Sequence, residues 1–441
     1  MYAPQRSISI EFDKPTQSNL ANQPMTAIHP HRRALLQIFS AALQAVAGDD
    51  CVAAALQRRS LPDGVRLVAV GKAAQSMADG AKAALGGRLA AALLISKVGH
   101  LDRRRCRGLG WQALESGHPL PDAASLQAGQ QLIRFIEADA GPLLLLLSGG
   151  ASSLLELPVA GVGLEQLLRT NQWLQASGLP IDQVNRVRKS LSLIKGGGLL
   201  NWLGGREVTA LAISDVPGDD PGVIGSGLLL PDPTLDQRGW RQQLPGWLDV
   251  LVANGLSQRR RPLRDPPPVE IVANLQMAKQ AAAQQARALD YAVRVEPEFI
   301  AGDAAEAGRR LAARLRVGPA GVWIWGGEST VVLPPSPGRG GRNQQLALAA
   351  ACELAGEQNC LFLSAGSDGS DGPTDDAGAL VDGATIARAE REGFDAAATL
   401  RVCNAGELLQ ASGDLLSTGP TGTNVMDLML GLKLAPDNDQ I

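Results

Sequence analysis

Between Pro142 and Ser153 the chain reads Pro-Leu-Leu-Leu-Leu-Leu-Ser-Gly-Gly-Ala-Ser-Ser. Five successive leucines offer no polar face, and the run is too short for a helix of its own. It reads as a strand buried on both sides, which is how a central strand of a parallel sheet is written. A parallel strand needs helical crossovers to reach its neighbours, so this one stretch commits the chain to α/β architecture.

The rest of the chain supplies the matching parts. Strands are predicted at Val65–Val70, Ala92–Ser96, Trp111–Glu115, Val208–Ile213, Val269–Ala273, Tyr291–Glu296, Val322–Trp325 and Cys360–Ala365. Helical spacing of apolar residues falls between them, as in Leu35, Leu36, Phe39, Leu43 and Val46. The pattern predicts two α/β domains with mostly parallel sheets, the first Rossmann-like. Two domains also suit 441 residues, more than one core usually serves. The Arg- and Pro-rich segment Arg259–Pro268 reads as the linker. Domains are therefore expected at 31–262 and 269–434, after a polar, loosely ordered leader at 1–30.

Net charge is −3, which lacks the basic surplus of a nucleic-acid binder. No apolar run approaches the roughly 18 residues that span a bilayer, so no membrane partner is expected. Five scattered cysteines form no C-x-x-C pair, which suits a reducing cytoplasm. Only four histidines occur and H-E-x-x-H is absent, against a zinc hydrolase. A homo-oligomer is compatible with everything above.

Chemistry-bearing residues gather at strand ends, where open α/β sheets bind ligands. Gly71-Lys72 follows the first strand and can set a phosphate on a helix N-terminus. It is not a P-loop: Arg66 stands where the first glycine is needed and Ala73 where Ser or Thr is needed. Ser148, Gly149, Gly150 and Ser152 follow the leucine strand, in a turn able to cradle a phosphate or carboxylate or simply to start a helix. Asp215, Asp219 and Asp220 end another strand and suit either magnesium or turn-making. Arg188 and Lys195 belong to a basic cluster that also reads as a solvated face. Glu328, Arg342, Asp368 and Asp371 lie within one stretch, Trp323–Asp376, that holds two strand ends and one helix start. Acids and a guanidinium together there suit an anionic ligand with a metal.

Val70–Ala74, Ser116–Pro119, Leu147–Ser152, Asn185–Lys195 and Ser214–Asp219 resemble the amino-terminal domain of class II glycerate 2-kinases. Gly326–Thr330, Gly341–Gln344, Gly366–Asp375 and Thr418–Val425 resemble that family's carboxy-terminal MOFRL domain. The resemblance runs in order from about His31 to Leu432. It implies ATP- and Mg²⁺-dependent phosphorylation of D-glycerate to 2-phosphoglycerate, in a cleft between two α/β domains. It makes Lys72 and Arg342 active-site residues, by position in the family's motifs. Within such a mechanism Asp215 is the first choice of base, and Asp215, Asp219 and Glu328 are candidate magnesium ligands. Ser148, Gly149, Gly150, Ser152, Arg188 and Lys195 are assigned to substrate or phosphate, and Glu328, Asp368 and Asp371 to the nucleotide. Some relatives are labelled hydroxypyruvate reductase, but G-x-G-x-x-G after a strand is missing, which disfavours an NAD(P)H enzyme. A two-lobed binding protein without activity is the third reading, and it leaves the many strand-end acids without a purpose.

Overall fold

A computed structural model describes residues 30–237, 239–260 and 264–435. The leader at 1–30 lies outside the described residues, Pro30 excepted. The chain forms two compact units. One is Ala47–Asn274 with Gly422–Asn424; the other comprises the described residues up to Val46, Leu275–Thr421, and the described residues from Val425 on.

The first unit is built on strands β1 (Val65–Val70), β2 (Leu89–Lys97), β3 (Gln112–Ser116), β4 (Leu143–Leu147), β5 (Val208–Ile213) and β6 (Val269–Ala273). They pair in the order β3-β2-β1-β4-β5-β6, all parallel. This is the Rossmann order, with its switch point between β1 and β4. The leucine strand β4 is buried along its whole length, as its lack of a polar face requires. Helices Ala74–Leu85 and Ala123–Glu137 provide the crossovers.

The second unit carries β7 (Val293–Ile300), β8 (Gly321–Gly327), β9 (Cys360–Gly366), β10 (Gly378–Asp382), β11 (Leu415–Leu416) and β12 (Asp427–Lys433). Their order is β11-β10-β9-β12-β8-β7. The α/β class holds, but the expectation of a mostly parallel sheet is corrected here. Only β7 and β8 run parallel; β8–β12, β12–β9, β9–β10 and β10–β11 are antiparallel. Two features cause this: β12 inserts between β8 and β9 running opposite to both, and β10 turns back antiparallel to β9. Trp323 and Trp325 stack at 5.7 Å on β8, and Trp325 and Phe362 meet at 6.1 Å in the core.

Two boundary expectations change. The change of unit does not fall at the Arg- and Pro-rich segment, because the strand after it, β6, pairs with β5. Arg259 shows why: its guanidinium donates to the carbonyls of Lys189, Ser192, Lys195 and Gly196, clamping a loop of its own unit. The change of unit falls at Asn274, after the strand. The helix Pro30–Ala45, expected in the first domain, packs in the second unit, where Arg32 bonds Asp382 and Asp414.

Pro30–Gln57 is long and apolar enough to cross a membrane, which the run-length reading missed. It is two helices, Pro30–Ala45 and Gly48–Gln57, and Leu35, Ile38, Phe39 and Leu43 of the one and Val52 and Leu56 of the other are buried in the fold.

Candidate active site

At the switch point of the first sheet, the turns after β1 and β4 are sewn together. The Ser148 amide donates to the Val70 carbonyl, and the Lys72 amide to the Gly149 carbonyl at 2.9 Å. The Ser148 hydroxyl accepts from the Ala73 amide at 3.1 Å. Gly71, at φ 125°, passes so close that a Cβ there would lie 2.1 Å from Ser148 Oγ and 2.4 Å from its carbonyl oxygen. Gly71→Ala therefore meets both backbone strain and a clash with a neighbouring main chain. We expect a loss of about 2–4 kcal/mol, read as a fall in Tm of roughly 2–4 °C per kcal/mol. An unchanged melting curve would show that the two turns are not locked.

Ser148 was expected to touch substrate. Its side chain is fully buried and its hydroxyl braces the two turns instead. Gly149 makes room for neighbours: a Cβ there would lie 1.9 Å from Asn424 Nδ2 and 2.2 Å from Asp215 Oδ2. Asp215, at the end of β5, thus sits against the turn, with Asn424 Nδ2 at 3.5 Å. Asn424 arrives with Gly422–Asn424, the part of the Thr418–Val425 motif that packs in this unit. Asp219, expected as a metal ligand, accepts from Asn274 Nδ2 at 2.6 Å.

Beside the β4 turn lies a cavity of about 260 Å³. Gly150, Ser152, Arg188 and Lys195, all expected at the substrate, line it, joined by His118 and Glu156. The lysine is not free to bind an anion. Its ammonium pairs with Glu156, both side chains being at most 5% exposed. Such a pair is costly to break from either side. Ser152 Oγ lies 2.5 Å from Ser226 Oγ. Arg188 donates through Nε to Asn171 Oδ1 at 3.1 Å. Burial pulls its pKa down from the usual value, with Glu156 opposing. Among the described residues no carboxylate forms an ion pair with Arg188, so it is the cation this cavity offers to an anion.

In the second unit β12 runs against β8 and β9, so its first residue lies at the same end as their last. Asp427 pairs with Gly327 and Gly366 in register. Glu328 follows β8 and Asp368 follows β9. Arg342 is the first residue of the helix Arg342–Glu353. A cation at a helix N-terminus opposes the macrodipole, so its place needs another reason. Asp427 supplies one. It is fully buried and takes Arg342 Nε at 2.6 Å and Nη2 at 3.0 Å, while Nη1 reaches Glu328 at 2.9 Å. Burial disfavours the guanidinium's charge, but Asp427 outweighs it and the pKa rises above the usual range, with Glu328 and Asp371 adding.

Asp371, expected at the nucleotide, is a helix cap. Its two carboxylate oxygens accept from the amides of Asn343 (3.0 Å) and Gln344 (2.8 Å). Burial pushes its carboxyl up to about 7, with Asp427 adding, against the pull of those amides and Arg342. The helix N-terminus is thereby already filled by a carboxyl group of the protein's own. Asp368 is mostly buried and accepts from the Ser370 amide at 3.0 Å and hydroxyl at 3.1 Å. Among the described residues no three His, Cys, Asp or Glu side chains gather into a metal cluster. Of the expected metal ligands, Asp215 and Asp219 lie in the first unit and Glu328 in the second. Magnesium needs only one or two carboxylates when phosphates supply the rest, and Asp215 at its strand end and Glu328 at its own are each a carboxylate of that kind.

A lysine at a Rossmann switch point, and a guanidinium held at strand ends of the second unit, define an α/β protein equipped for anionic, phosphate-bearing ligands. Residues 34–243 match a domain of unknown function, DUF4147, and residues 321–427 match the MOFRL family. A D-glycerate 2-kinase of Thermotoga maritima is 36% identical, covering 91% of this chain and 98% of its own. A relative from Agrobacterium vitis, 34% identical over 90% of this chain and 93% of its own, bears a hydroxypyruvate reductase label. The crystal structure of a Thermotoga maritima glycerate kinase superposes with a TM-score of 0.77 at 33% identity, covering 92% of this chain and all of that one. The chain belongs to the glycerate 2-kinase family.

Proposed function

We infer that this protein is a glycerate 2-kinase, a phosphotransferase that moves the γ-phosphoryl group of ATP to the C2 hydroxyl of D-glycerate. The observation that carries the reading is the switch-point turn with Lys72, set beside a cavity whose unpaired cation is Arg188. Phosphoryl transfer asks a protein for positioning and for charge opposite the transferring group. We assign Lys72 and Arg342 to that charge. The Gly149–Gly150 turn approaches the substrate through its backbone, and Arg188 takes the glycerate carboxylate as a charge-assisted partner. Lys195, neutralised by Glu156, shapes the cavity wall. Glu328 and Asp368 serve the nucleotide side. Mg²⁺ bound with ATP would supply further neutralisation of the phosphate oxygens, and Asp215 and Glu328 are the carboxylates we assign to holding it.

The test is a product assay with ATP, Mg²⁺ and D-glycerate. ADP and 2-phosphoglycerate are expected in equal amounts. Formation of 3-phosphoglycerate alone would move the reaction to the other hydroxyl. NADH oxidation on adding hydroxypyruvate, without ATP turnover, would replace the reading with a reductase.

A further inference from the structure

We propose that Asn171 is a positioning residue for the substrate carboxylate: it takes Nε of Arg188 and leaves the Nη1 and Nη2 edge to a ligand in the cavity. The inference deepens the kinase reading and rests on its choice of Arg188 for the glycerate carboxylate. Both side chains belong to residues that line the cavity beside the β4 turn. They stand on two helices of the first unit, Leu164–Ala176 and Ile181–Ser190. Leu167 and Leu174 of the one and Val184 and Val187 of the other are buried in one apolar cluster. The pair is thus carried by packed elements, which hold a binding group more precisely than a loop does.

The amide of Asn171 fits its surroundings in one orientation. Its Nδ2 donates to the Leu167 carbonyl at 2.9 Å, and its Oδ1 accepts from Arg188 Nε at 3.1 Å. A carbonyl only accepts and a guanidinium only donates, so a flipped amide would lose both bonds. Asn171 is buried, which keeps water from competing for either. Among the described residues neither Nη1 nor Nη2 of Arg188 has a protein partner. Those two nitrogens form an edge of the guanidinium that can take a carboxylate through two parallel bonds.

The neighbouring acid shows what the amide prevents. Glu156 lines the same cavity, acts on the charge of Arg188, and is paired with Lys195. A guanidinium released from Asn171 can turn to Glu156, and its charge is then neutralised inside the protein. A neutral amide fixes the direction of Arg188 without cancelling its charge. An aspartate of nearly the same shape would both fix it and cancel it.

The experiment compares wild type with Asn171→Ala, Asn171→Asp, Arg188→Lys and the double variant Asn171→Ala/Arg188→Lys. It reads kcat, KM for glycerate and for ATP, calorimetric binding of D-glycerate, and a melting curve for each. Asn171→Ala should raise KM for glycerate about tenfold, the scale of ordering one long side chain on binding, with KM for ATP unchanged and kcat less affected. Asn171→Asp should raise it further, by about 10², as for a lost hydrogen-bonded charge. Arg188→Lys has no Nε, so it should itself weaken glycerate, and adding Asn171→Ala to it should weaken glycerate no further. An Asn171→Asp variant milder than Asn171→Ala would make Asn171 a packing residue and overturn the proposal. So would an Asn171→Ala effect of equal size in the Arg188→Lys background, or an Arg188→Lys variant with wild-type KM. If wild type binds glycerate but makes no phosphoglycerate, the kinase reading fails, and the order of binding among the variants still decides the role of Asn171. If wild type binds no glycerate, both fall.

Discussion

Replacing Arg342 by Ala is expected to lower both turnover and stability. The sequence alone makes Arg342 an active-site residue and gives it no structural duty. Its partner changes that expectation. Asp427 has no solvent exposure and depends on Arg342 for two hydrogen bonds, at 2.6 and 3.0 Å. Without the guanidinium a buried carboxylate is left uncompensated, which costs about 3–5 kcal/mol in comparable pairs. The lower end applies here, because the Arg342 side chain is 35% exposed and water can enter its place. Loss of one preorganised donor to developing charge also lowers kcat by about 10²–10³. The double variant Arg342→Ala/Asp427→Ala separates the two effects. It removes the abandoned charge, so Tm should recover most of the loss, while kcat stays low. A single variant that melts like wild type would show that Asp427 does not need its partner. A single variant with normal kcat would remove Arg342 from the reaction.

The first unit was the more legible half, and the reason is local. A parallel strand buried on both faces must be continuously apolar, and its ligand-binding turn must be rich in glycine; β1 and β4 meet both conditions in a few adjacent residues. Lys72 and Arg342 stood out because each interrupts such a turn. The second sheet was less legible because strand direction depends on partners far away in sequence. β11 has only two residues, and Asp427–Lys433 carries a methionine and a glycine that leave its type ambiguous. Asp427 itself looked like any acid near a chain end. Only the insertion of β12 between β8 and β9 brings it to Arg342.

The same non-locality explains the residues whose roles moved. Ser148, Lys195, Asp219 and Asp371 have the right chemistry at the right kind of turn. Each is engaged by a partner at a distance: the Ala73 amide, Glu156, Asn274, and the Asn343 and Gln344 amides. Residue type says what a group can bind; only the packing says what has already bound it. Glu156 was missed for the converse reason, since it does not lie in a turn that looks like a phosphate cradle, and His118, though inside the Ser116–Pro119 motif, was given no place in the cavity.

Lys72 offers the cleanest separation of chemistry from folding. Its backbone amide, not its side chain, ties the β1 turn to Gly149. Lys72→Met keeps that bond and keeps the stem against Gly150, where Cγ stands 3.4 Å from the position of a Cβ. What is lost is the ammonium with the contacts it makes. The backbone lock survives, so the fall in stability should be smaller than the about 2–4 kcal/mol expected for Gly71→Ala. Turnover should fall about 10²–10³, because a positioned cation no longer meets the charge that develops on the transferring phosphoryl group. Lys72→Arg should recover little. A planar guanidinium is not a substitute for a compact ammonium, and the close approach at Gly150 leaves little room for it. Normal kcat in Lys72→Met would remove the lysine from catalysis. A large fall in Tm with it would instead make Lys72 a structural cation, and the phosphoryl group would then need its charge from Arg342 and the metal alone.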